Sequence, residues 1–309
     1  MKLEGIHHIT AITGDAPGNV EFYAGVLGLR LVKKSVNQDD PTVYHLFYGD
    51  EEGSPGADLT FFGYPGVPRG SAGAGMVHRI VWRVGSAQAL GFWAERLEAQ
   101  GLGTSREDAR LVFSDPEGLA HELRVVQTEE EGLAATSPEI PAEHALQGFD
   151  GAFAYSADPG ASAGLLGQAL GFQPSAREGA WDVRGERRSS VYAYDPPPPG
   201  ARARQGTGTV HHIAFACQPA EQESWRERVA GGGAHPTPVI ERFYFRSVYF
   251  REPSGVLFEI ATIGPGFAVD EEATHLGERL SLPPRFEPLR EQLERTLTPL
   301  PNPRAAVSR

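Results

Sequence analysis

The chain of 309 residues has little cysteine, no excess of basic residues and no long apolar run. Its single cysteine, Cys217, excludes an intrachain disulfide and favours a reducing compartment. Lys and Arg number 28 against 40 Asp and Glu, giving a net charge of −12. Nucleic acid and anionic membranes are therefore poor partners, because both attract concentrated positive charge. No stretch could span a bilayer, and residues 1–5 lack a signal-peptide core, so we expect a cytoplasmic protein.

Glycine and proline, in contrast, are abundant. There are 37 glycines and 25 prolines, which predict many turns and therefore many strands. The apolar fraction of 40% and the charged fraction of 22% are normal for a globular protein. The sequence thus indicates a strand-rich protein with a substantial core.

The first half of the chain resembles the second. Residues 5–13 resemble residues 148–156, and at the same offset of 143 residues (148 − 5) residues 22–29 resemble residues 165–172. Both pairs indicate a strand followed by a helix that ends at a Leu-Gly, where glycine accepts a left-handed cap. Self-similarity of this kind is the signature of a duplicated fold.

A second pair of repeats has a different offset. Residues 77–82 resemble residues 210–215, an offset of 133 (210 − 77), and each segment precedes a Trp-bearing helix. Matching strands follow at residues 115–123 and 252–260. The repeats predict four modules, starting near residues 5, 75, 148 and 208, each with a strand, a helix and then several strands.

These modules suggest a division of the chain into four parts. Modules one and two form an N-terminal half, 1–126, and modules three and four a C-terminal half, 148–264. A linker, 127–147, joins them, and it is rich in glutamate and proline. An extension, 265–309, carries a predicted helix over 287–297 and no recognisable chemistry.

Two His-His pairs open strands at equivalent places, His7-His8 and His211-His212. Adjacent side chains on a strand point to opposite faces, so one histidine of each pair should face the inside of the sheet. A single such pair would most often be packing or surface. Two pairs at module starts favour metal binding, because imidazole is a common ligand of transition metals.

Glu259 is the third candidate ligand. It lies in the apolar segment 255–261, where a carboxylate is costly unless it is paired or bound to a metal. Strand alternation also permits the other interpretation, a glutamate on a solvent face.

The repeats provide an internal control for these three residues. The equivalents of His8, His212 and Glu259 are Gly151, Arg79 and Glu122. Arginine does not ligate metals at ordinary pH, although it can pair with a glutamate. The pattern indicates one working site and one lost site, and it predicts that module one packs against module four.

Thr60 occupies the position of module one that corresponds to Glu259. Threonine is a poor ligand, so three protein donors would leave open metal positions, as in the two-histidine, one-carboxylate triad of non-haem Fe(II) oxygenases. A closed site with four protein ligands would suit an isomerase better. Asp58, two residues away on the same strand face, keeps that alternative open.

Several motifs together resemble the ring-cleaving dioxygenases of the vicinal oxygen chelate superfamily. The resemblance extends from Gly5 to about Gly266 and is strongest to the hydroquinone and chlorohydroquinone dioxygenase branch. The motifs are Gly5-Ile6-His7-His8-Ile9-Thr10, Phe22-Tyr23, Leu27-Gly28-Leu29, Tyr44-His45-Leu46, residues 140–145, His211-His212-Ile213-Ala214-Phe215 and Phe258-Glu259. The catechol-cleaving branch takes its histidines from modules three and four, whereas module three here has Gly151.

The resemblance implies an α+β fold of four βαβββ modules in two tandem halves, with a metal site in a curved mixed sheet. It implies His8, His212 and Glu259 as ligands of Fe(II), with Mn(II) as the alternative. It also assigns catalytic or substrate-binding roles to Thr10, His211, Arg242 and Tyr249. Arg242 could instead form a surface ion pair, and Tyr249 could be a core residue in the aromatic-rich stretch 243–250.

The implied function is cleavage of a hydroquinone- or catechol-type aromatic ring with O2. Two alternatives on the same fold stay open. One is a glyoxalase-like isomerase or lyase, which consumes no oxygen. The other is a small-molecule-binding protein of the antibiotic-sequestering kind, which needs no metal. The sequence leaves the oligomeric state open, a homo-oligomer included.

Overall fold

Two eight-stranded mixed sheets form the body of the protein, for which the computed structural model describes residues 1–303. The fold is α+β and consists of four βαβββ modules. The strands are β1 (Ile6–Thr13), β2 (Arg30–Val36), β3 (Tyr44–Gly49), β4 (Asp58–Gly63), β5 (Met76–Val84), β6 (Thr104–Glu107), β7 (Arg110–Ser114), β8 (Ala120–Val125), β9 (Phe149–Tyr155), β10 (Gln173–Pro174), β11 (Ala180–Arg184), β12 (Ser189–Asp195), β13 (Thr209–Cys217), β14 (Ile240–Glu241), β15 (Arg246–Arg251) and β16 (Leu257–Thr262).

The helices are few and mostly short. The α-helices are α1 (Ala16–Val20), α2 (Ala87–Ala99), α3 (Gln222–Gly231) and α4 (Arg290–Thr296), and the 3-10 turns are Ala142–His144, Pro159–Ser162, Pro219–Glu221, Phe267–Val269, Ala273–His275 and Pro284–Leu289. Two π-helical turns, Glu21–Val26 and Leu165–Ala169, occupy equivalent places in modules one and three. Gly28 and Gly171 follow them with φ of 68° and 74°, the left-handed conformation predicted for both Leu-Gly ends.

The first sheet combines modules one and four, as predicted from the positions of the candidate ligands. Its strand order is β14-β15-β16-β13-β1-β4-β3-β2, with β1 and β13 antiparallel at its centre. The second sheet combines modules two and three in the order β10-β11-β12-β9-β5-β8-β7-β6. Each sheet is therefore built from one module of each half of the sequence.

The main core lies on the helix-facing sides of the sheets. Trp93 on α2 and Trp225 on α3, the tryptophans that the repeats place on helices, are both fully buried there. Cys217 is also buried, and burial raises the pKa of its thiol to about 12, so it is an inert core residue. No helix within residues 1–303 has the length and apolar character needed to cross a membrane.

The C-terminal extension packs on the first sheet. The backbone N–H of Ser281 donates to the carbonyl of Lys34 on β2 at 2.8 Å. Phe267 and Leu276 join a small apolar cluster that also contains Ala214 and Ala261, which lie two residues beyond His212 and Glu259. The predicted helix over 287–297 is α4, which begins only at Arg290 because a 3-10 turn carries the chain through Pro288.

Candidate metal centre

Three side chains that are distant in sequence, His8, His212 and Glu259, converge inside the first sheet. The Nε2 atoms of His8 and His212 lie 3.2 Å apart. Glu259 Oε2 lies 3.2 Å from His8 Nε2 and 2.9 Å from His212 Nε2. All three side chains are buried, and within residues 1–303 they are the one group of three or more potential donors close enough to share a metal ion.

Neighbouring strands of the first sheet bring these donors together. His8 lies on β1, His212 on β13 and Glu259 on β16, and the order β16-β13-β1 places them side by side. Ala214, two residues after His212, is the register partner of Glu259 across the parallel pair β13–β16. Side chains at such positions share a face of the sheet, so the donors are fixed by backbone pairing and not by loops.

A β-bulge lies within each His-His pair. Along the antiparallel pair β1–β13 the ladder passes from Ile6 directly to His8, so His7 is an extra residue on β1. On β13 the ladder passes over His211 in the same way. A bulge re-aims the side chains next to it, and bulges are frequent beside functional sites.

The bulges place both members of each pair on the same side. The His7 and His8 rings both contact Phe245, each at a centroid distance of 5.2 Å. One histidine of each pair faces the inside of the sheet as predicted, but the other member does not point to the opposite face as regular alternation would require. Regular strand alternation does not continue through a bulge, because one extra residue shifts the pattern.

This arrangement sets the protonation of His8. His7 Nε2 lies 3.1 Å from the carbonyl oxygen of Thr262, which can only accept, so that nitrogen carries the proton. His7 Nδ1 is then an acceptor, and His8 Nδ1 donates to it at 2.9 Å. The Nε2 of neutral His8 is left with its lone pair toward Glu259. His211 Nδ1 lies 2.8 Å from His212 Nδ1 and can orient that ring in the same manner.

Burial disfavours the protonated form of His7, His211 and His212. It lowers the pKa of His7 to about 3 and of His211 to about 4, with the adjacent histidine adding to the effect in each case. Burial also lowers the pKa of His212. For Glu259 burial favours the protonated form, but His8 and His212 outweigh it and hold the carboxyl pKa well below its usual range. Two neutral imidazoles and one carboxylate are the protonation states that metal ligation requires.

The donor set fits a divalent metal ion. Glu259 Oε1 is fully buried and has no hydrogen-bond partner among the described residues, a costly arrangement for a carboxylate unless a cation satisfies it. The two imidazole Nε2 atoms and Glu259 Oε2 lie within 3.2 Å of one another. Two imidazole nitrogens and a carboxylate oxygen suit first-row transition metals better than magnesium or calcium.

Thr60, opposite Glu259 in the pseudosymmetry of the sheet, supplies no fourth donor. Its Oγ1 lies 2.8 Å from Thr10 Oγ1 and 3.0 Å from His45 Nε2. Asp58 is buried on the same strand but lies outside the donor group. Burial, with Asp50 adding to it, raises the pKa of Asp58 well above its usual value, which favours its protonated form.

A small pocket adjoins the three candidate metal ligands. Tyr249 and Arg242 line one wall, and the Arg242 Nε–H donates to the Tyr249 hydroxyl at 3.2 Å. The other two Arg242 nitrogens donate to the Asp39 carboxylate at 2.9 and 3.0 Å. The remaining lining residues are His8, Asn37, Gln38, His45, Phe47, Phe62, His212, Tyr244 and Phe245. A larger surface groove elsewhere, around Tyr23, contains none of the donors.

The structure brings the predicted residues together to different degrees. Thr10 Oγ1 lies 3.0 Å from His212 Nε2, and the Tyr249 ring packs edge-on against the His212 ring at 5.7 Å. Arg242 is both a pocket residue and an ion pair, so a direct bond from it to a substrate oxygen stays a prediction. His211 contacts His212 and does not line the pocket.

Two further polar residues of this region were missed by sequence reasoning. His7 belongs to one of the two His-His pairs, but its role in orienting His8 becomes apparent only from the bulge. Asp39 lies in the connection between β2 and β3, and nothing in its local sequence indicates a partner more than 200 residues away at Arg242.

The equivalent place in the second sheet holds an ion pair. Arg79, the equivalent of His212, has its Nε 3.4 Å from Glu122 Oε2, and Arg124 donates to the other Glu122 oxygen at 2.6 Å. A Cβ atom at Gly151, the equivalent of His8, would lie 2.3 Å from the carbonyl oxygen of Val191. The second sheet therefore has neither the donors nor the space of the first.

Comparison with known families gives an independent result. The profile of the Glyoxalase/Bleomycin resistance protein/Dioxygenase superfamily matches residues 5–123 and 148–260. The chain is 42% identical to "Putative ring-cleaving dioxygenase MhqO" of Bacillus subtilis, covering 96% of this chain and 97% of that protein. It is 33% identical to "Chlorohydroquinone/hydroquinone 1,2-dioxygenase" of Sphingobium indicum, covering 96% of each.

Solved structures agree on the fold. The structure of a "putative dioxygenase" from Bacillus subtilis superposes with a TM-score of 0.91 at 40% identity, covering 97% of this chain and 98% of that one. Glyoxalase I from Zea mays superposes with a TM-score of 0.58 at 15% identity, covering 84% of this chain and 92% of that one. The second similarity concerns the fold alone.

Proposed function

The chain belongs to the Glyoxalase/Bleomycin resistance protein/Dioxygenase superfamily, and on that premise we propose that it is a non-haem Fe(II)-dependent dioxygenase that cleaves hydroquinone- or catechol-type rings with O2. Mn(II) is the alternative metal. The observation that carries the proposal is the buried group of His8, His212 and Glu259, with Thr60 where a fourth protein donor would stand. A donor set of this kind leaves positions for a substrate oxygen and for dioxygen.

Bound iron(II) would hold both reactants in these positions and carry electrons between them. The protein itself orients the substrate and the metal ligands and excludes water from the pocket. Phe47, Phe62 and Phe245 give the pocket apolar walls suited to an aromatic ring. His8 and His212 are fixed by their hydrogen-bonded neighbours, so the donor geometry is set before substrate enters.

Tyr249 is placed to act on a substrate oxygen. Its hydroxyl oxygen accepts a hydrogen bond from Arg242, which leaves the hydroxyl proton free to be donated. Burial, with the Glu259 charge adding to it, raises the pKa of Tyr249, so the phenol stays protonated at neutral pH. Asp39 in turn holds Arg242 by two hydrogen bonds. We therefore assign Tyr249 as the hydrogen-bond donor to substrate and Arg242 as the residue that positions it.

The test is anaerobic loading with Fe(II), then oxygen-electrode assays with a panel of hydroquinones and catechols. We expect oxygen uptake that falls to background in Glu259→Gln, which removes the only anionic donor. Glu122→Gln is the matched control in the second sheet and should keep both the bound iron and the activity, after circular dichroism shows that each variant is folded.

Iron bound at His8, His212 and Glu259 without oxygen uptake on any diol would contradict the proposal and favour the isomerase alternative. Failure to bind any divalent metal would favour the non-enzymatic alternative. The position of Asp58 outside the donor group weighs against a closed four-ligand isomerase site.

A further inference from the structure

His45 on β3 has no role in the function proposed so far, yet its ring lines the pocket beside the donor group. The ring lies between Phe47 and Phe62, at centroid distances of 3.9 and 4.5 Å. Its Nε2 lies 3.0 Å from Thr60 Oγ1. The imidazole therefore contacts two aromatic rings and forms a hydrogen bond at one nitrogen.

A line of hydroxyl groups connects His45 to the donors. From His45 Nε2 it runs 3.0 Å to Thr60 Oγ1, then 2.8 Å to Thr10 Oγ1, then 3.0 Å to His212 Nε2. Both threonines are fully buried. His45 is thus separated from the donor group by two side chains and is not itself a donor, but it faces the same pocket.

The other nitrogen of His45 is unused. No described residue forms a hydrogen bond with its Nδ1, whereas each guanidinium nitrogen of Arg242, on the wall with Tyr249, already has a partner. Burial lowers the pKa of His45 well below its usual value, and the positive charge of Arg242 adds to the effect. The ring is neutral, so it offers a directed hydrogen bond and no charge.

We infer that His45 is a substrate-binding residue whose Nδ1 forms a hydrogen bond with the second oxygen of a hydroquinone-type ring. The inference rests on the proposed function, because the first oxygen must lie at the donor group. The two oxygens of a para-diol are at opposite ends of the ring, so the second needs a partner away from the metal. In catechol the two oxygens are adjacent, and both approach the donors.

The experiment compares hydroquinone with phenol, which lacks the second oxygen. Dissociation constants for both are measured without oxygen on the iron-loaded wild type and on His45→Phe, which keeps an aromatic ring between Phe47 and Phe62. We expect wild type to bind hydroquinone roughly five- to tenfold more tightly than phenol, the effect of one buried hydrogen bond. In His45→Phe the two ligands should bind equally.

Two further variants separate this role from a structural one. His45→Asn places a polar atom near the position of Nδ1 and should restore part of the preference for hydroquinone. His144→Phe makes the same substitution at a half-buried histidine stacked on Phe92, outside the site, and should leave the preference unchanged. Iron content should match wild type in all three variants, because neither histidine is a donor.

A preference for hydroquinone that survives in His45→Phe would overturn the inference, and so would a wild type that binds the two ligands equally. Oxygen uptake by the wild type reports separately on the proposed function. If uptake occurs while His45→Phe changes neither the preference nor the KM for hydroquinone, only the role of His45 fails. If uptake is absent with every diol, the proposed function itself fails.

Discussion

His8 presents a lone pair to the donor group because its neighbour in the chain fixes its proton. The carbonyl of Thr262 sets the tautomer of His7, and His7 sets that of His8. His211 contacts His212 through the same pair of Nδ1 atoms. At the scale of single residues, each His-His pair therefore divides its work between one histidine at the donor group and one that orients it.

Replacing an orienting histidine should weaken metal binding without removing a donor. We expect His7→Phe and His211→Phe each to lower the affinity for Zn(II) or Fe(II) by about tenfold or more, because the donor imidazole loses its partner and its fixed tautomer. Competition against a chelator at neutral pH measures the affinity. His78→Phe is the matched control, since His78 is the bulge residue equivalent to His211 in the second sheet, and it should bind metal as wild type does.

An unchanged metal affinity in both His7→Phe and His211→Phe would show that His8 and His212 adopt their binding tautomers without these neighbours. A loss in His78→Phe would show that the effect is general destabilisation and not an effect on the site.

At the scale of elements, the C-terminal extension is tied to β2 by a buried ion pair. Lys33 is fully buried, and its ammonium contacts the carboxylates of Glu271 and, at 2.7 Å, Asp270. The Asp270 carboxylate also accepts from the hydroxyl of Tyr244, a pocket residue. Through this hydrogen bond, the extension holds Tyr244 in the wall of the pocket.

Breaking this ion pair should cost more than losing a surface charge. We expect Glu271→Gln to lower the free energy of unfolding by about 3 kcal/mol, because it leaves a buried ammonium with one carboxylate fewer. Asp270→Asn should cost less, since Asp270 is partly exposed. Urea denaturation measures both, with exposed Glu278→Gln as a control within about 0.5 kcal/mol of wild type. Equal stabilities for Glu271→Gln and Glu278→Gln would contradict the expectation.

The elements also show what the sequence could and could not predict. The repeats identified the donors correctly as neighbours in space, because duplicated modules pair in a regular way. The bulges at His7 and His211 were not predictable from alternation, since one extra residue leaves no mark on local composition. Partners such as Asp39 for Arg242 depend on tertiary packing over long separations, which no local pattern records.

At the scale of the whole molecule, the chain is a duplicated structure in which only the first sheet has the candidate donor group, among the residues that the structure describes. The second sheet keeps the bulges, at His78 and Asp150, and keeps the glutamate, Glu122. Arg79 and Gly151 stand at the positions of His212 and His8, and the Arg79 guanidinium contacts the Glu122 carboxylate. The buried carboxylate of this copy therefore has a positive partner within the protein and needs no metal ion to balance its charge.

A single substitution should not restore a site in the second sheet. We expect Arg79→His to bind no additional metal, since Gly151 has no space for a side chain, and to lose about 1–3 kcal/mol of stability as Glu122 loses one of its two arginines. Elemental analysis of the metal-loaded variant should still give one ion per chain. A second equivalent would show that the copy has retained more of its former geometry than the structure indicates.

The central pairing of β1 with β13 has a consequence for how the protein is made. His8 emerges first from the ribosome, yet it meets His212 204 positions later in the sequence, and Glu259 later still. A nascent chain or proteolytic fragment that ends before β16 lacks the Glu259 carboxylate, so metal binding by the three proposed ligands would require that β16 has already been synthesised. A metal ion bound here would link β1, near the start of the chain, to β13 and β16, which lie more than 200 residues later. Its removal would therefore weaken a long-range contact between these strands.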